Sequence, residues 1–100
     1  MVYKYYTNKY EQIKEDAKKE GRSRSNLARK IMLDNLYNFN DSEIKQGKPK
    51  TRHNVRMESI TLSDEDYELI EKVAKHYNMD TMKFIAYIIN QYYEGKENEQ

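Results

Sequence analysis

The stretch RMESITLSDEDYELIEKVAKHYNMDTMKFIAYIINQYY, Arg56 to Tyr93, decides the fold. Its first residues, Met57 to Leu62, alternate so that Ile60 and Leu62 fall on one face and Met57, Ser59 and Thr61 on the other, the period of a strand with one side toward a core. Ser63 reads as a helix N-cap, because its hydroxyl accepts a first-turn N–H and Asp64, Glu65 and Asp66 suit the positive end of the helix dipole. Leu62 and Tyr67 flank that cap at staple spacing. The helix then carries Tyr67, Ile70, Val73, Ala74 and Tyr77 on one stripe, with Leu69 beside it. Asn78 ends it, since Asn tolerates the left-handed conformation of a helix C-terminus. Asp80 or Thr81 opens a second helix whose apolar positions are Phe84, Ile85, Ile88, Ile89, Tyr92 and Tyr93. One strand and two short helices cannot bury so wide a face, and a lone strand leaves its backbone groups unpaired. A partner is required.

The chain supplies one. Shifting the stretch back by 57 positions lays Tyr67 on Tyr10, Ile70 on Ile13, Ala74 on Ala17 and Asn78 on Gly21, an internal repeat. The strand becomes Val2 to Tyr6, with Tyr3 and Tyr5 inward and Val2, Lys4 and Tyr6 outward. Thr7 or Asn8 begins a helix, Asn8 and Glu11 have capping-box spacing, and Gly21 stops it. The tract from Gly21 to Asn26 then opens a helix with Leu27, Ala28, Ile31, Met32 and Leu36 on its apolar side. The first copy departs from the second at three places. Gln12 stands for Leu69, Asp16 for Val73, and Tyr6 for the capping Ser63.

Pattern, caps and element lengths resemble the ribbon-helix-helix family, the group that contains the Arc repressor, in which two such units intertwine and their strands pair as an antiparallel ribbon. The resemblance implies a mainly α fold with a two-stranded antiparallel β ribbon, the two units of this one chain forming an intramolecular pseudo-dimer. Fused double units of this kind resemble the TraY class of conjugation proteins. The units are 1–37 and 56–94, joined by a basic linker, 38–55, and followed by a frayed tail, 95–100. Asn38 to Asn54 carries the breakers Asn40, Gly47 and Pro49 and the cations Lys45, Lys48, Lys50 and Arg52. It reads equally as a solvated tether or as an arm touching phosphates.

In that family the ribbon enters the DNA major groove and its outward side chains touch base edges. Carried onto this chain, the base-contacting residues are Val2, Lys4, Tyr6, Met57, Ser59 and Thr61. The N-terminus of each second helix holds a phosphate, which assigns that role to Ser23, Arg24, Ser25 and Asn26, with Arg22 nearby, and to Thr81, Met82 and Lys83. Asp80 is a good cap but a poor neighbour for an anion. Arg56 serves a base or a phosphate. The implied partner is double-stranded DNA, with self-association of pseudo-dimers on repeated sites. The implied work is transcriptional repression or autoregulation on a plasmid, phage or conjugative element. Alternatives are an accessory role in a relaxosome or at a partition site, or an antitoxin-like module that grips a protein.

Composition bounds these readings. The chain has 100 residues, a mean hydropathy of -1.17, 35% charged residues and no cysteine, which excludes disulfide and thiolate chemistry and fits a cytoplasmic protein with a thin core. There is no apolar run of membrane-spanning length and no signal-peptide pattern at the N-terminus. Net charge is +1, unevenly spread: residues 1–55 hold thirteen Lys or Arg against seven Asp or Glu, and residues 56–100 hold five against ten. A basic half and an acidic half attract each other or leave one half to meet phosphate. Nothing points to an enzyme, a cofactor, a metal or a small-molecule substrate. The acids after Ser63 suit a helix start, GRSRS lacks phosphate-loop spacing, and His53 and His76 stand without clustered ligands.

Overall fold

The structure is a computed structural model and describes residues 1–47, 49 and 52–97. In chain order it contains β1 (Val2–Thr7), α1 (Tyr10–Glu20), α2 (Arg24–Asp34), α3 (Ser42–Lys45), β2 (Arg56–Thr61), α4 (Asp64–His76) and α5 (Thr81–Glu97). It is mainly helical with one two-stranded antiparallel sheet. The register pairs Val2 with Thr61, Tyr3 with Ile60, Lys4 with Ser59, Tyr5 with Glu58, Tyr6 with Met57 and Thr7 with Arg56. Tyr5, Ile60 and Leu62 are buried, whereas Val2, Lys4, Tyr6 and Met57 are exposed.

Behind the sheet, α2 lies across β2 and α5 across β1, α1 packs on α2, α4 packs on α5, and α2 meets α5. The second helix of each half thus covers the strand of the other half, and one core serves both. Positions 57 apart are buried together: Ile13 with Ile70, Ala17 with Ala74, Ile31 with Ile88, Leu36 with Tyr93. The two helix ends that separate the elements also correspond. Gly21 (φ 66°) and Asn78 (φ 57°) both take the left-handed conformation, as expected of Asn78, and Gly21 N–H closes onto Ala17 and Lys18 carbonyls. Ser63 caps α4 through a reciprocal capping box with Asp66, and Asp80 caps α5.

Four expectations need correction. β1 extends to Thr7 and α1 starts only at Tyr10, capped by Lys9 without a side-chain bond, so the Asn8–Glu11 capping box does not form. The reason is long-range: the buried Thr7 hydroxyl donates to Asn90 Oδ1 at 2.5 Å and accepts the Lys9 N–H, which holds the chain extended. Second, the segment after α2 is not a solvated tether over its described residues. Phe39 meets Phe84 and Tyr77 edge-on at 5.5 and 5.6 Å, Ile44 of α3 is buried, and the Tyr77 hydroxyl donates to Asp41. Lys48 and Lys50 lie outside the described residues. Third, α5 continues to Glu97 instead of fraying from residue 95, because Glu97 accepts from Lys9 at 3.0 Å and from Gln12 at 2.8 Å, and Lys96 pairs with Asp16 at 3.7 Å. Those partners explain why the first copy carries Gln12 and Asp16 where the second has Leu69 and Val73: polar α1 positions meet the polar end of α5. Finally, Tyr87 and Asn90 are buried although neither lies on the expected apolar face of α5, while Tyr92 is half-buried. No helix among the described residues is long and apolar enough to cross a membrane.

The buried tyrosines give the fold a signature in alkali. Burial, first of all, pushes the Tyr87 hydroxyl up to about 12 from the ordinary 10.0 and raises those of Tyr5 and Tyr93 further. A phenol whose folded value lies above its unfolded one stabilises the fold fully below pH about 10, and that contribution is lost as pH climbs toward the folded value. The melting temperature should therefore hold from neutrality to pH about 10 and fall above it, with part of the tyrosinate absorbance appearing only on unfolding. Ionisation of all ten tyrosines in one step near pH 10, with the fold intact, would contradict this burial.

Candidate nucleic-acid interface

The alternation of two strands brings six side chains to one surface. Val2 and Thr61, Lys4 and Ser59, and Tyr6 and Met57 are directly opposed pairs, all pointing away from the core. Val2, Tyr6 and Met57 are 57%, 60% and 54% exposed, large apolar groups left in solvent, while Ser59 and Thr61 are half-buried. Lys4 Nζ donates to Ser59 Oγ at 2.8 Å, which ties one strand's cation to the other's hydroxyl. The face thus offers a row of donors and hydroxyls flanked by apolar groups, on a six-residue ribbon of roughly 20 Å.

The helix N-termini beside the ribbon are less open than the sequence suggested. At α2, Ser23 Oγ accepts the Asn26 N–H at 3.1 Å, so two of the residues assigned to phosphate are bound to each other. Arg24 Nε lies 3.7 Å from Glu58 Oε1, and Arg24 stays 53% exposed while Glu58 is only 13% exposed. Glu58 shares the inward parity of Ile60 and Leu62, and a charged residue at such a position was the signal available in the sequence. Burial pushes the Tyr5 hydroxyl up, the facing Glu58 carboxylate adds to that, and Arg24 partly opposes it. Ser23, Arg24, Ser25, Glu58 and Ser59 together bound a hollow of about 240 Å³. At α5, Asp80 Oδ2 accepts the N–H groups of Met82 and Lys83 at 3.2 and 3.3 Å, so the protein's own carboxylate fills that anion seat.

Four arginines around the ribbon have partners of their own. Arg22 pairs with Glu20 at 3.3 Å, Arg29 with Asp66 at 2.7 Å, and Arg52 with Glu94 at 3.0 Å. The Arg29 hydrogen bond holds the Asp66 carboxyl below its ordinary range. Arg56 is exposed and lies over the Tyr10 ring, 4.5 Å from its centroid, a cation–π contact. The two helix-terminus clusters therefore differ: α2 presents Arg24 and two serines, and α5 presents Lys83 beside a carboxylate. Comparison of the chain with protein-family models, with curated proteins and with solved structures gives no significant match in any of the three.

Proposed function

We propose that this chain is a single-chain ribbon-helix-helix protein whose two units form an intramolecular pseudo-dimer and whose ribbon binds duplex DNA in the major groove. The observation that carries the reading is the outward face itself: three cross-strand pairs, Val2–Thr61, Lys4–Ser59 and Tyr6–Met57, standing on a sheet whose other face is sealed by two helices. The major groove is wide enough for a two-stranded ribbon. Support for the pseudo-dimer comes from the reciprocal packing of α2 on β2 and α5 on β1 and from the matching left-handed ends at Gly21 and Asn78. Lys4 donates to guanine acceptors, the hydroxyls of Ser59 and Thr61 bond to several bases, and Val2 and Met57 meet thymine methyls. Because the two strands differ, the element read is not a palindrome.

The same reading assigns the protein to transcriptional repression or autoregulation, on a plasmid, phage or conjugative element, in the cytoplasm. An accessory role at a transfer origin or partition site uses the same contacts. A mobility-shift titration on the DNA upstream of its own gene, with random duplex as competitor, tests it: retention at a competitor excess that strips random DNA is the expected result. A protein-binding role rests instead on exposed Tyr37 and Leu69 beside a hollow of about 520 Å³. Salt-insensitive capture of a protein with no duplex shift would favour that rival.

Arg24 and Glu58 give a separable prediction. Arg24→Ala should weaken binding to all sequences alike and lower the salt slope by about one. Glu58→Gln removes the carboxylate 3.7 Å from that guanidinium and should tighten binding to all sequences, severalfold, in fluorescence anisotropy titrations. In the Arg24→Ala background the gain should shrink. An equal gain in both backgrounds would mean that Glu58 acts on the DNA without Arg24.

A further inference from the structure

Beside the outward face of β1 lies a hollow of about 610 Å³, which Lys4, Tyr6, Met82 and Lys83, all assigned to DNA, line together with residues that the DNA contact does not use. Its volume falls within the usual range for small-molecule sites. Met79, Met82, Ala86 and Tyr87 supply an apolar floor, Tyr6 and Pro49 form walls, and Lys4 and Lys83 bring two cations. The carboxylate on this wall, Asp80, already accepts the N–H groups of Met82 and Lys83. Arg52 reaches the hollow already paired with Glu94. The contrast lies at the other end of the ribbon, where the smaller hollow holds Glu58 against Arg24. One hollow brings a carboxylate to its own arginine, and the other sets two exposed lysines over methionine and aromatic surface.

We propose that this second hollow binds a small amphipathic anion, an aromatic carboxylate, with its apolar body over Met82 and Ala86 and its carboxylate toward Lys4 and Lys83. An apolar floor supplies the affinity of burial and selects a flat or bulky body, while the two ammonium groups that line the hollow select the charge. The site is also coupled to the ribbon through Lys4, which donates to Ser59 Oγ at 2.8 Å on the outward face. A carboxylate that draws the ammonium toward the hollow takes it from that face, so ligand and duplex oppose each other, and by linkage the opposition is mutual. The coupling rests on the DNA-binding reading; the binding of the anion does not.

The test titrates naphthalene-1-acetate and its neutral amide, naphthalene-1-acetamide, into the full ¹⁵N-labelled chain without DNA. The expected result is saturable amide shifts concentrated at Tyr6, Met79, Met82, Lys83 and Ala86, with the acid binding at least fivefold tighter than the amide. Lys83→Glu should abolish that preference, and Ala86→Trp, which fills the floor, should abolish the shifts. Lys83 is exposed, so the charge variant keeps the fold even where a tryptophan disturbs α5. Equal affinity of acid and amide, or shifts scattered over the surface, overturns the proposal. The same shifts from inorganic phosphate at equal concentration also overturn it, in favour of a phosphate seat. With duplex present, the acid should raise the apparent Kd for DNA severalfold. Acid binding with unchanged duplex affinity overturns the coupling and upholds the site, and acid binding by a chain that binds no duplex overturns the DNA reading and upholds the site.

Discussion

Phe84→Ala should cost about 3–5 kcal/mol of folding stability and lower the melting temperature by roughly 15 °C or more. Phe84 is wholly buried, stacks with Tyr77 at 6.2 Å and receives Phe39 edge-on at 5.5 Å. It therefore joins three parts of the chain: α5, the end of α4 and the segment after α2. A loss of that size is a large share of the roughly 5–15 kcal/mol that stabilises a domain of this length. The damage should also be local to Phe39. Amide exchange over 38–47 should accelerate more than exchange in α1, because α3 and its neighbours depend on that aromatic cluster and α1 does not. A fall of less than about 5 °C, with 38–47 still protected, would mean that the segment is held by something other than this ring.

Lys4→Ala should reduce the preference for a selected duplex over random DNA by roughly 5- to 150-fold, the equivalent of about 1–3 kcal/mol. Lys4 is the one cation on the outward face of the strands, and its loss also leaves Ser59 Oγ without its donor. Two effects then separate by measurement. The lost charge should lower the salt slope by about one on every sequence, and the lost reader should lower preference at one position of the site. Thr61→Ala provides the control, since it removes a hydroxyl and no charge. It should relax preference and leave the salt slope unchanged. Unaltered preference in both variants would remove the base-reading role from this face.

The elements legible in the sequence are those fixed by neighbours along the chain. Ser63, Asn78, Gly21 and Asp80 mark helix ends because capping is settled within three or four residues, and each does so in the structure, whereas Asn8, held in an extended turn by distant contacts, does not. The outward face of the ribbon was legible for the same reason, since alternation needs only the strand itself. What escaped was set by residues far apart. Thr7 is buried against Asn90, 83 positions away, and Lys9 against Glu97, 88 away. No local pattern announces either. Phe39 reads as part of a linker because breakers surround it, yet its ring, the buried Ile44 and the hydrogen bond from Tyr77 to Asp41 dock the segment. The helix N-termini were legible as caps but not as seats already filled, because whether Asp80 turns back onto its own amides depends on geometry.

The central claim is that Val2, Lys4, Tyr6, Met57, Ser59 and Thr61 form one surface that meets duplex DNA. Amide and side-chain NMR shifts on adding a duplex selected from a random pool test it most directly. The predicted result is that the largest changes fall on those six residues, with smaller ones at Arg24 and Lys83. Shifts confined to α4 and the Tyr37–Leu69 hollow, with the six unmoved, would contradict it.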